Sequence, residues 1–156
     1  MSKIRLGVLG GGGDSLIGVL HRVASYMYDY YEIVGGVFNP DYEENIKFAK
    51  KIGVNTDRVY KDFDEFVAVE SAKPEDERVE VVSVLTPNFL HYPMAKKLLE
   101  HGFNVICEKP LTTTLEEAKT LQEIQKKNKA VFAVTYTYTG YPMVREMKEM
   151  IAKGVI

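Results

Sequence analysis

The stretch LGGGGDSLIG at residues 9–18 sets four consecutive glycines, Gly10 to Gly13, between a short apolar run and a helical pattern. Glycines in a turn that opens a helix let the backbone approach a ligand closely. The helix N-terminus adds free amide donors, and the combination suits a pyrophosphate. Gly10, Gly12 and Gly18 are the three candidates, spaced Gly-x-Gly, five residues, Gly. The dinucleotide fingerprint has two residues in that last interval, so the turn carries an insertion, and the competing reading is a glycine-rich turn that merely ends a strand. A side chain at Gly12 would block the close approach. Ser15 either caps the helix or donates to a phosphate oxygen, while Asp14 would repel one. The ribose-reading position should follow the second strand, where Phe38-Asn39-Pro40-Asp41 offers Asn39 in place of an acid. An Asn bonds a ribose hydroxyl without repelling a 2′-phosphate, and no Arg adjoins it, which favours NAD slightly over NADP. Asn39-Pro40 also reads as a plain turn.

These residues need a frame. Residues 4–9 (IRLGVL) pattern as a strand, and residues 16–31 space Leu16, Val19, Leu20, Val23, Met27 and Tyr30 at helical intervals. A second strand is expected over 32–38, a helix over 42–52 closed by Gly53, and a short third strand over 58–60. Asp62 and Glu65 form a capping-box pattern before a helix over 63–71. Residues 79–85 are a nearly continuous β-branched run, the pattern of a strand covered on both faces. A helix over 90–101 stops at Gly102, a strand follows over 104–107, and Thr114 with Glu117 opens a helix over 115–127. A sixth strand is expected over 130–135 and a last helix over 143–153. Strands alternating with helices across short connections imply an α/β fold, a doubly wound parallel sheet of about six strands in a single domain.

The bulk properties narrow the function classes. A chain of 156 residues with 46% hydrophobic and 27% charged residues has the composition of an ordinary globular domain. A formal net charge of -2 shows no pull toward nucleic acid. The single cysteine, Cys107, leaves no intrachain disulfide and no cysteine-type metal cluster, so no metal site is expected and a reducing, cytoplasmic setting fits. No apolar stretch has the length of a signal h-region or a membrane span.

Two further stretches, VVSVLTPNFLHYPMAKKLLEHG and NVICEKPLTTTLEEAKTL, each end a strand at the sheet's carboxyl edge. Together with the glycine loop they resemble the N-terminal domain of the Gfo/Idh/MocA oxidoreductases, the family of glucose-fructose oxidoreductase and inositol dehydrogenase. The resemblance covers essentially the whole chain and implies a Rossmann fold with NAD or NADP as cofactor. It implies that Gly10, Gly12 and Gly18 form the pyrophosphate loop, that Thr86, Pro87 and Asn88 line the cofactor, and that His91 lies near it. It further implies that Lys109 is the catalytic-site lysine between nicotinamide and substrate hydroxyl, with Glu108 positioning its loop and an often cis bond before Pro110. Hydride loss from a carbinol carbon requires the hydroxyl proton to leave. A lysine takes that proton only if desolvation or a neighbouring charge lowers its ordinary value of about 10.4.

The implied substrate is a sugar or polyol. Complete family members carry a second α/β domain that supplies most substrate contacts, so residues 1–156 are expected to be the NAD(P)-binding domain alone, inactive without the other. The alternative is a stand-alone, non-catalytic nucleotide- or partner-binding module. An uncovered docking face makes a homo-oligomer a further expectation. His21 reads as a packed or surface histidine, His101 as a helix C-terminal cation, and Cys107 as a buried strand residue. Tyr136, Tyr138 and Tyr141 either flank the nicotinamide end or pack.

Overall fold

The structure, a computed structural model, describes residues 2–156. Five strands, β1 (Ile4–Gly10), β2 (Tyr31–Val37), β3 (Val81–Leu85), β4 (Asn104–Cys107) and β5 (Phe132–Val134), form one parallel sheet in the order β2-β1-β3-β4-β5. Six helices connect or flank them: α1 (Leu16–Tyr26), α2 (Tyr42–Lys51), α3 (Phe63–Ala72), α4 (Asn88–Glu100), α5 (Leu115–Asn128) and α6 (Pro142–Ala152).

Alternation along β1 divides the core between the two faces of the sheet. Leu6 and Val8 pack with Ile33, Phe48, Ala49 and Val59 on the α2 side. Leu9 joins Phe66, Val84, Leu98, Phe103 and Leu121 on the side of α3, α4 and α5. Val82 and Val84 of β3 are wholly buried, as a β-branched run covered on both faces requires. Gly7 makes room for the Phe66 ring, whose Cζ would lie 2.9 Å from a Cβ there.

The third strand, expected over 58–60, is reduced to one residue, and the strand expected over 130–135 is Phe132–Val134. Asn55 accepts the Asp57 N–H at 3.0 Å and folds Thr56–Arg58 into a 3-10 turn. Only Val59 is left to bridge Gly36, in the parallel sense. Counting that bridge, the order becomes the 3-2-1-4-5-6 of dinucleotide-binding sheets, and the sheet proper has five strands. α1 also stops short of residue 31. Its last turn gives way to a 3-10 turn over Met27–Asp29, with Tyr28 and Asp29 at positive φ (62° and 60°), and Tyr30 keeps helical spacing without being helical. α4 begins at Asn88, two residues before the expected 90.

The caps follow the residue types. Asp62 accepts the Glu65 N–H at 2.8 Å, while the Glu65 carboxylate reaches Lys61 N instead of closing a full box. Thr114 and Glu117 do make the reciprocal pair. Glu70 on α3 is a buried carboxylate that accepts from Arg58, Lys73, the Tyr60 hydroxyl and Val79 N. Burial alone would push this carboxyl up, but its four kinds of donor more than offset that and hold it at about 2. Among the described residues no helix is long and apolar enough to cross a membrane, and no group of His, Cys, Asp or Glu is set to hold a metal.

Candidate functional site

The strand order reverses between β1 and β3, so the crevice beyond their carboxyl ends is the switch point of the sheet. Gly10 ends β1 beside Leu85 of β3 in register. Gly10 has φ +84°, and a Cβ on it would stand 2.8 Å from the Leu85 carbonyl. Gly18, in the first turn of α1, is held so closely to Gly11 that any Cβ would collide with the Gly11 carbonyl. The turn has no space for side chains at these points, because its own backbone and that of β3 fill it.

Gly12 is enclosed by backbone in the same way. Its N–H donates to the Phe38 carbonyl at 3.1 Å, and a Cβ would meet that carbonyl, so the space beside Gly12 is filled by the end of β2. Its glycine requirement is set by contact with protein backbone. Ser15 is the helix cap, its hydroxyl accepting the Gly18 N–H at 3.1 Å. The Leu16 and Ile17 amides, the first of α1, have no acceptor in the helix ladder. The Asn39 side-chain oxygen accepts from Asp41 N at 2.9 Å, and Asp41 caps α2. Asn39 therefore serves the turn with its oxygen, and its amide N–H groups make no hydrogen bond among the described residues.

The two family motifs meet through one residue. Thr86-Pro87-Asn88 follows β3 and Glu108-Lys109-Pro110 follows β4, with a cis bond between Lys109 and Pro110. Buried His91 on α4 joins them, Nε2 lying 2.8 Å from the Thr86 carbonyl and Nδ1 2.7 Å from the Pro110 carbonyl. A neutral imidazole donates to one of these oxygens; the doubly protonated ring donates to both. Pro87 and Asn88 are exposed at the crevice, and Thr86 is half-buried with its hydroxyl against the Met94 sulfur at 3.6 Å. Lys109 is exposed, and among the described residues its ammonium makes no hydrogen bond or ion pair. Tyr136, Tyr138 and Tyr141 lie exposed beyond β5, the last two packed edge to face at 5.4 Å.

The sequence reading missed two residues. His21 is neither a packing nor a plain surface histidine: its Nε2 donates to Glu108 Oε1 at 2.9 Å, beside the lysine. Arg22 donates to the Gly11 carbonyl at 2.7 Å and stacks over the Phe48 ring at 4.9 Å. Both lie on α1 within one turn of Gly18, and helical spacing alone carries no sign of a partner so distant in sequence. His101 does close α4, its Nδ1 against the Lys97 carbonyl. Cys107 is buried, and burial together with the nearby Glu108 charge pushes its thiol up to about 12.

A five-stranded parallel sheet with a glycine turn at its switch point defines a dinucleotide-binding domain. Residues 4–136 match the family described as "Oxidoreductase family, NAD-binding Rossmann fold", and the chain belongs to this family, the Gfo/Idh/MocA oxidoreductases. It is 36% identical over 154 residues to YfiI, an uncharacterized oxidoreductase of Bacillus subtilis, covering 98% of this chain and 39% of YfiI. It is 32% identical over 128 residues to the D-xylose 1-dehydrogenase (NADP(+)) of Hypocrea jecorina, covering 81% of this chain and 31% of that enzyme. An inositol dehydrogenase homolog of Azotobacter vinelandii, solved with NADH and myo-inositol, superimposes with a TM-score of 0.93 at 38% identity, over 98% of this chain and 40% of that one. The chain thus spans about two fifths of the length of such relatives. It is an NAD-binding domain of this family, and either nicotinamide dinucleotide fits it.

Proposed function

We propose that these residues form the cofactor-holding half of an oxidoreductase that moves a hydride between a nicotinamide cofactor and a sugar or polyol hydroxyl. The observation that carries this reading is the convergence of the glycine turn and Lys109 on one crevice at the sheet's carboxyl edge. Support for the substrate class comes from the Azotobacter homolog's myo-inositol and the Hypocrea enzyme's D-xylose.

Gly10, Gly12 and Gly18 form the turn that takes the pyrophosphate, and the Leu16 and Ile17 amides donate to it. Asn39 bonds the adenosine ribose through its amide, and without an adjoining Arg the site prefers NAD. Thr86, Pro87 and Asn88 line the crevice, with His91 bracing their loop against that of Pro110. The nicotinamide, when bound, accepts the hydride. Lys109 Nζ takes the hydroxyl proton of the carbinol, and Glu108 accepts the Lys109 backbone N–H at 3.1 Å and so orients the loop that carries it. Lys109 is exposed here, and we assign the task of closing over it and the substrate to a second domain of the kind that the longer relatives have room for.

The test is Lys109→Ala at full native length, with NAD and a panel of sugars and polyols including myo-inositol and D-xylose. Turnover should fall by about a thousandfold while NADH affinity stays within several-fold, general acid–base groups commonly contributing factors of 10²–10⁴. Near-native turnover by the variant would remove Lys109 from the chemistry.

A further inference from the structure

The two loops that define the site are tied to one helix at consecutive positions. Arg22 holds the glycine turn through the Gly11 carbonyl, and His21 holds the lysine loop through Glu108. Both members of the second pair are largely screened from water, with side-chain exposures of 17% for His21 and 10% for Glu108. Glu108 has one oxygen on His21 and the other on the Lys109 backbone N–H, so its two acceptors face two different elements. A carboxylate this enclosed loses heavily when a partner is removed, and it responds by turning away from its site.

We propose that His21 is a positioning residue: through Glu108 it fixes the Lys109 loop to the helix that opens the cofactor cradle, so that filling the cradle steadies Lys109. This rests on the cofactor-domain reading above and extends it to a residue outside the glycine, Thr-Pro-Asn and Glu-Lys-Pro motifs. α1 presents its first amides to the cofactor phosphates, and an α-helix moves as a rigid body over the single turn from Gly18 to His21. Any constraint that the cofactor places on the start of α1 passes to His21, from there to the Glu108 carboxylate, and on to the Lys109 amide. By linkage the same free energy works in reverse, and a loosened lysine loop weakens the hold of the cradle on its cofactor.

Amide hydrogen exchange at Lys109 tests this at full native length without any substrate, with NADH as the probe and its affinity followed by fluorescence. His21→Leu removes the donor, and His21→Gln keeps an N–H at comparable reach. In the native protein NADH should slow exchange at Lys109. In His21→Leu that exchange should rise about tenfold relative to reference amides in β1 and β3, and the slowing by NADH should shrink to less than twofold, since a hydrogen bond to a charged group is worth about that factor or more. His21→Gln should restore both to within threefold of native. Should His21→Leu fail to fold, His21→Asn, too short to span the gap, replaces it against His21→Gln with the same expectations. Exchange at Lys109 within twofold of native in the donor-free variant overturns the proposal, as does a rise matched by the reference amides. Failure of the native protein to bind NADH at all would instead sink the cofactor reading, which separates the two outcomes.

Discussion

Gly13 in the glycine turn and Gly18 in the first turn of α1 make opposite demands on space. A Cβ at Gly18 meets the Gly11 carbonyl, whereas at Gly13, with φ +56°, it meets nothing within 4 Å. Gly18→Ala should therefore weaken NADH binding by more than tenfold and lower the melting temperature, because backbone has to move. Gly13→Ala should cost only the ~1 kcal/mol of a left-handed alanine, with affinity within threefold. Equal losses in the two variants would show that the close approach of Gly18 to Gly11 does not set its glycine requirement. Cys107 makes a separate prediction. Buried and with its thiol pushed up to about 12, it should resist iodoacetamide at pH 8 in the folded protein and react fully in guanidinium. Rapid alkylation of the native chain would contradict its placement inside the sheet.

At the scale of the element, α3 is anchored by Glu70 more than by its caps. The carboxyl lies below its ordinary 4.5, at about 2, so the stability it contributes is complete above the ordinary value and is lost as pH falls from there toward 2. A shift of this size corresponds to about 3 kcal/mol. Glu70→Gln should unfold at lower urea concentration at pH 7 by roughly that amount, since Arg58 and Lys73 then lack their partner. The gap from native should narrow in melts run at progressively lower pH down to 3. A gap that stays constant with pH would mean that the loss comes from packing alone. α1 is the counterpart: Ser15 caps it and Gly18 fits it to the turn, but its outward face is bare of partners among the described residues.

For the whole molecule that bare face has a consequence. Leu16, Leu20 and Val23 on α1 are exposed at 69%, 54% and 55%, and Met143, Met147 and Ile151 on α6 are similarly open. Apolar area of this kind seeks cover, and the 156-residue chain alone should sediment as more than a monomer at micromolar concentration. Leu20→Asp with Val23→Asp should shift it toward monomer without loss of helical circular dichroism. A single monomeric boundary for the native chain would show that these faces need no partner.

The sequence by itself determined whatever is local or periodic. The alternation of strands and helices, the caps at Asp62 and Thr114, the glycine turn before α1 and the strand-end motifs at Thr86 and Glu108 are read within windows of a few residues, where neighbouring side chains and backbone decide the outcome. Only the tertiary structure decided what lies across the sheet. It reduced residues 58–60 to one bridge, because an Asn55 turn leaves too little extended chain for a ladder. It set Phe38 against Gly12, His91 between two loops and His21 against Glu108, the last pair 87 residues apart in sequence. A side chain's type announces that it can donate a hydrogen bond. Which oxygen receives it depends on parallel crossovers that bring remote strand ends to a single edge, and nothing in a short window of residues records that meeting.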